Sequence, residues 1–138
     1  MVSLIIGEKG KGKTKVLLDK VNEEIKDANG SYVYLDKSSQ HMYELNNKVR
    51  LIDVSSYDLD NADKFLGFIS GIVSQDHDLE KMYLDNFLVL SNCGDDYIKV
   101  LDSLNAMSEK YKVNFIVSMS KVKADLNDTW KNNVIAEL

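Results

Sequence analysis

One stretch constrains this chain more than any other: Gly7-Glu8-Lys9-Gly10-Lys11-Gly12-Lys13-Thr14, which joins the apolar run Val2 to Ile6 to a segment with helical periodicity. It fits the pattern Gly-x-x-x-x-Gly-Lys-Thr without a mismatch. Each residue type there has a physical reason. Glycines let the backbone turn tightly enough for successive N–H groups to converge on an anion. The helix that follows presents its unpaired N–H groups and positive dipole end to the same point. Lys13 adds a point charge, and Thr14 a hydroxyl suited to a hydrated divalent cation. The ligand implied is a polyphosphate carried with Mg²⁺, cradled by Gly7, Glu8, Lys9, Gly10, Lys11, Gly12, Lys13, Thr14 and Lys15.

With 138 residues the expectation is one domain spanning 1–138. The net charge of -5, from 22 acidic against 17 basic residues, argues against a general affinity for nucleic-acid backbones or anionic membranes. Lys9, Lys11, Lys13 and Lys15 nevertheless alternate through the glycine-rich loop, a local cluster that suits a polyphosphate better than a duplex. The single cysteine, Cys93, excludes an internal disulfide and a Cys-based zinc cluster, and suits a reducing cytoplasm. The first apolar run ends at Ile6, too short for a signal-peptide core, and the run Phe65 to Val73 is broken by Gly67, Ser70 and Gly71. A soluble cytoplasmic chain beginning at Met1 is therefore expected. Arg50 is the single arginine beside 16 lysines, which limits any mechanism that needs a bidentate guanidinium.

Along the chain, apolar runs alternate with helical patterns. Val2 to Ile6 reads as a buried strand, and Leu17, Val21, Ile25 and Ala28 as the face of a helix that Asn29-Gly30 stops. Tyr32 to Leu35 is a second strand ending at Asp36. A polar connection with a short helix around Met42 to Leu45 follows, then a third strand, Val49 to Val54, carrying Asp53. Asp58 or Asp60 is expected to cap a helix built on Ala62, Phe65, Leu66, Ile69, Ile72 and Val73. Lys81 to Leu84 is a fourth strand ending at Asp85, and Phe87 to Leu90 either prolongs it or starts an irregular connection. Asp95 to Lys110 is a helix, Val113 to Val117 a fifth strand, and the four-residue spacing of Val122, Leu126, Trp130 and Val134 predicts a terminal helix. The fold class expected is α/β, a mostly parallel five-stranded sheet with helices on both faces.

In such a sheet the ligand sits beyond the carboxyl ends of the strands, which brings Asp36, Asp53, Asp85 and Ser118 to Ser120 to the edge that holds the glycine-rich loop. Asp85 is the first candidate for the carboxylate on the Mg²⁺ side, and Asp53 its rival. This layout resembles the RecA-like branch of the P-loop nucleoside triphosphatases: Walker A after strand one, an acid at the end of strand two, Walker B on the fourth strand and a polar end to the fifth. The resemblance covers nearly the whole chain as layout, with Walker A its specific part. It implies ATP and Mg²⁺ as ligands, with Thr14 and Asp85 on the metal side.

That branch carries a catalytic Glu just after strand two. Here the segment reads Tyr34-Leu35-Asp36-Lys37-Ser38-Ser39-Gln40-His41, with no Glu before Glu44. Asp36 and Gln40 are left to position the attacking water, with Lys13 stabilising the transferred phosphoryl group. The expectation is a slow or partner-dependent Mg-ATPase that cleaves the β–γ bond. The alternative is a non-hydrolysing nucleotide-binding regulatory module, and a small-molecule kinase is disfavoured because no long insertion offers a lid. GTPases need an Asn/Thr-Lys-x-Asp element, and Ser120-Lys121-Val122-Lys123 lacks its Asp. Adenine is therefore the expected base. A second copy or a protein partner is the expected company, with Lys121 and Lys123 as candidate phosphate contacts. Asp76-His77-Asp78 reads as a solvated turn, Arg50 as a solvated strand start, His41 as a histidine without a partner, and Gly67 and Gly71 as sites of close helix packing.

Overall fold

The structure is a computed structural model that describes residues 1–138. Its centre is a sheet of β1 (Val2–Ile6), β2 (Ser31–Asp36), β3 (Val49–Asp53), β4 (Leu79–Leu84), β5 (Asn114–Met119) and β6 (Val134–Glu137). The spatial order is β3-β2-β4-β5-β1-β6, and every pairing is parallel. The helices are α1 (Lys13–Glu24), α2 (Ala62–Gln75), α3 (Phe87–Ser91), α4 (Tyr97–Tyr111) and the single turn α5 (Asp128–Lys131).

Strand alternation divides the interior into two layers. Val2, Leu4 and Ile6 of β1, Val33 and Leu35 of β2, Met82 and Leu84 of β4, and Phe115, Val117 and Met119 of β5 face a 25-residue core roofed by α2, α3 and α4. The residues between them, Ile5, Tyr32, Tyr34, Tyr83 and Ile116, face a smaller cluster of 10 under α1, closed by Leu17, Leu18, Val21 and Ile25. Helices thus cover both faces, and the layer under α1 is rich in tyrosine. Since β1 feeds the glycine-rich loop and α1 leaves it, that loop sits at the carboxyl edge directly above this tyrosine layer.

Four local expectations change. The sheet has six strands, because the last segment is not one helix. Leu126 and Trp130 are buried, but Asn127 caps the short α5 by accepting from the Trp130 N–H at 2.9 Å, and Val134–Glu137 pairs with β1. The four-residue spacing runs from exposed Val122 through buried Leu126 and Trp130 to half-buried Val134, and so joins a turn, a helical turn and a strand. Phe87 to Leu90 resolves as α3, entered through Asn86 in the left-handed region at φ 61°. Asn61, not Asp58 or Asp60, caps α2, since it immediately precedes Ala62 and accepts from the Lys64 N–H at 2.9 Å. Asp60 instead pairs with the Lys64 ammonium at 2.9 Å. Finally, Gly67 and Gly71 lie on the exposed side of α2, where an added Cβ meets no atom within 4 Å, so neither permits a close helix contact. No helix is long and apolar enough to cross a membrane.

Candidate functional site

The glycine-rich loop is held at its start by backbone. The Gly7 N–H donates to the Lys121 carbonyl at 2.9 Å, and the space a Gly7 side chain would need is taken by the Leu138 carbonyl, 2.8 Å from the Cβ position. Gly10 at φ 84° and Gly12 at φ 89° turn the chain through the left-handed region, which costs an L-residue about 1–2 kcal/mol. Gly12 is also the N-cap of α1 and offers no side-chain acceptor, so the first-turn N–H groups have no side-chain partner. Lys13 bends back to donate to the Glu8 carbonyl at 2.9 Å. Burial lowers its ammonium from the usual lysine value, and the Asp85 charge opposes that shift.

Asp85 is the buried centre, 3% exposed. Its Oδ1 accepts from the Thr14 hydroxyl at 3.0 Å and from the Ser118 hydroxyl at 3.1 Å, and its Oδ2 accepts from the Tyr34 hydroxyl at 2.8 Å. The Asn86 N–H in turn donates to Ser118 Oγ at 2.8 Å. A buried carboxylate is costly unless its oxygens are satisfied, and hydrogen bonds to a charged group recover about 1.5–3 kcal/mol each. Burial, then the Asp85 charge, pushes the Tyr34 phenol upward, so Tyr34 remains a donor. Between the loop, Asp85–Asn86 and Ser118–Ser120 lies a cleft of about 200 Å³ with no hydrophobic lining residue.

Asp36 ends the neighbouring strand, where the Asp85 N–H donates to the Leu35 carbonyl at 3.0 Å. Its Oδ1 accepts from the Lys37 N–H at 2.7 Å, while its Oδ2 is buried without a partner. Burial, then the nearby Asp85 charge, holds this carboxyl above the usual range. Asp53 lies on the edge strand β3, with β2, β4 and β5 between it and β1. Its Oδ1 accepts from the Ser55 N–H at 2.9 Å, so it closes the turn Val54–Ser56, and the Ser55 hydrogen bonds hold it below the usual range.

Gln40 is exposed, its amide nitrogen 3.0 Å from His41 Nε2, and His41 Nδ1 meets the Glu44 carboxylate. The histidine therefore has partners, in a second hollow of about 400 Å³ that runs from Thr14 and Lys15 along α1 to His41 and Glu44. Glu8, Lys9, Lys11 and Lys15 are exposed, and Lys15 pairs with Asp19 at 3.1 Å. The Lys121 ammonium sits 4.4 Å over the Tyr97 ring, Lys123 is exposed, and Arg50 is exposed on β3. A further hollow of about 390 Å³ opens between the starts of α2 and α4, near Asn61, Cys93 and Lys99, away from the glycine-rich loop.

Tyr34 is the residue that sequence reasoning passed over. Its signal was parity: two residues before Asp36 in β2, it faces α1, on the same side as Ser118 of β5.

The donor set fits Mg²⁺. Thr14 and Asp85 offer hard oxygens side by side. No group of three or more His, Cys, Asp or Glu side chains is arranged to hold an ion unaided. One hydroxyl and one carboxylate are the donors suited to a cation that keeps its waters and binds through one or two carboxylates and a ligand's phosphates.

No protein-family model and no curated protein sequence matches the chain. Its fold is similar to the crystal structure of a KaiC-like protein from the hyperthermophilic archaeon Pyrococcus horikoshii OT3, with 18% sequence identity and a TM-score of 0.61. The likeness covers 87% of this chain and 62% of that one. At this identity it speaks for the fold alone, a parallel α/β sheet with helices on both faces.

Proposed function

We propose that the chain, as one domain over residues 1–138, binds Mg·ATP in the cleft above β1, β4 and β5, and hydrolyses it slowly or on engagement of a partner. The observation that carries this reading is the hydrogen bond from Thr14 to buried Asp85 across a cleft floored by the left-handed Gly10 and Gly12. A hydroxyl and a carboxylate facing each other beside unpaired helix N–H groups suit a hydrated cation and a polyphosphate together. The likeness to a KaiC-like protein supports the architecture in which such a site occurs.

In this reading the loop N–H groups and Lys13 bind and orient the phosphates, and Lys13 offsets charge on the γ-phosphoryl as it transfers. Lys13 must first leave the Glu8 carbonyl, which ATP phosphates replace with a charge-assisted bond. A divalent cation held by Thr14 and Asp85 would supply Lewis-acid charge to the phosphates. Water adds to the γ-phosphorus, the bond to the β–γ bridging oxygen breaks, and ADP and phosphate leave. Asp36, whose carboxyl is raised and whose Oδ2 has no partner, accepts the water's proton, with Gln40 holding that water once it releases His41.

The second reading is a nucleotide-binding module that does not hydrolyse. The observation favouring it is that Gln40 is engaged with His41, while the one free carboxylate oxygen at the end of β2 is buried. A second copy of the chain or a protein partner would then be the recipient of the nucleotide signal.

Titration calorimetry tests the proposal. Wild type should bind Mg·ATP with micromolar affinity or better, and Lys13→Ala should lose about 2 kcal/mol, roughly 30-fold. Equal affinities would contradict it. Phosphate release by wild type, with Asp36→Asn slower at unchanged affinity, separates the first reading from the second.

A further inference from the structure

Three tyrosines form the floor under α1: Tyr32 and Tyr83 with ring centroids 5.9 Å apart, and Tyr34 and Tyr83 stacked at 6.4 Å and 17°. Their rings are equivalent as packing, but their hydroxyls are not. Tyr32 donates to the Glu24 carbonyl at 3.2 Å and Tyr83 to the Glu24 carboxylate at 2.5 Å, both at the far end of α1. Tyr34 points the other way and gives its hydroxyl to Asp85 Oδ2 at 2.8 Å. Phenylalanine would fill the same layer without a buried hydroxyl to satisfy, so packing does not explain the oxygen at position 34.

The consequence lies in the carboxylate. With Oδ2 held from below by Tyr34, Asp85 keeps Oδ1 on the cleft side, where Thr14 and Ser118 reach it. A carboxylate anchored through one oxygen presents the other in a single orientation, and such supporting hydrogen bonds set the affinity of metal sites.

We infer that Tyr34 is a positioning residue that orients Asp85 toward the divalent cation of the nucleotide, an inference that rests on the Mg·ATP reading of the cleft. Tyr34 acts through Asp85 and makes no contact with the ligand itself.

The test uses binding of a fluorescent mant-ADP probe to the full chain, titrated with Mg²⁺, in wild type, Tyr34→Phe, Tyr83→Phe and Asp85→Asn. Tyr34→Phe keeps the ring stack, and a thermal scan confirms that it folds. The Mg²⁺ concentration giving half-maximal enhancement of binding should rise about 10- to 100-fold in Tyr34→Phe, with mant-ADP affinity in EDTA unchanged. Tyr83→Phe, which loses a hydroxyl directed at Glu24 from the same stack, should keep the wild-type Mg²⁺ dependence. Adding Tyr34→Phe to Asp85→Asn should change nothing further, because one acts through the other.

Equal Mg²⁺ dependence in Tyr34→Phe and wild type overturns this inference and leaves the nucleotide reading standing. So does an equal shift in Tyr34→Phe and Tyr83→Phe. Wild type that binds mant-ADP no better with Mg²⁺ overturns it together with the metal assignment. Wild type that binds no nucleotide at all removes the parent reading.

Discussion

Alanine at Gly67 and Gly71 should stabilise this fold, whereas alanine at Gly12 should destabilise it. Gly67 and Gly71 sit on the exposed side of α2 without positive φ, and a Cβ at either meets no atom within 4 Å. The substitutions therefore remove only the helix deficit of glycine, about 0.8–1 kcal/mol per site. A chain of 138 residues unfolds with an entropy of about 0.3 kcal/mol/K, so the double variant should melt about 5–7 °C higher. Gly12 also has open space around it, but its φ of 89° charges an L-residue about 1–2 kcal/mol, which lowers the midpoint by about 3–7 °C. Thermal unfolding followed by circular dichroism at one buffer and scan rate reads both signs. A Gly67→Ala/Gly71→Ala variant that melts at or below wild type would refute the reasoning for α2, since its outer face would then be packed. An unchanged Gly12→Ala midpoint would refute the left-handed loop.

Two charge effects follow from the same structure. Asp36 is held above its ordinary value of 3.8 by burial and then by Asp85, so its ionised form costs stability. That stability is intact below pH 3.8 and is lost as pH rises through the folded value. Asp36→Asn should thus raise the urea midpoint at pH 7, with the gain vanishing near pH 3.8; an equal or lower midpoint at pH 7 refutes it. Glu24 runs the other way. Burial would raise its carboxyl, but the Tyr83 hydroxyl, Lys20 and Lys81 outweigh it and hold the group below its ordinary 4.5. Wild type should therefore exceed Glu24→Gln in urea midpoint above pH 4.5 and lose the advantage as pH falls through the lower folded value. A constant difference would contradict the network.

What was legible in the sequence came from features with one physical solution. The glycine-lysine loop between an apolar run and a helical face can form only a turn into α1, and continuous apolar strands separated by helices require a parallel sheet covered on both sides. Strand ends were legible too, since Asp36 and Asp53 close β2 and β3 and Asp85 directly follows β4. Residues 122–138 were not, because four-residue spacing arises equally from one helix and from a turn, a helical turn and a strand in succession. The expectation for Gly67 and Gly71 failed for a related reason: spacing alone does not say which side of α2 faces the sheet. Tyr34 was read as strand filling, and the direction of its hydroxyl depends on which strand lies beside β2. Only the order β2-β4-β5-β1 brings Asp85 and Ser118 alongside it.

The central claim concerns place: a triphosphate held by the loop between β1 and α1. A titration of ¹⁵N-labelled chain with Mg·ATP, followed by backbone amide shifts, tests it most directly. The account predicts the largest changes at residues 8–14, with smaller ones at Asp85–Asn86 and Ser118–Ser120. Changes centred instead on the hollow between α2 and α4, at Asn61, Cys93 and Lys99, would contradict it, as would an unmoved spectrum at saturating ATP.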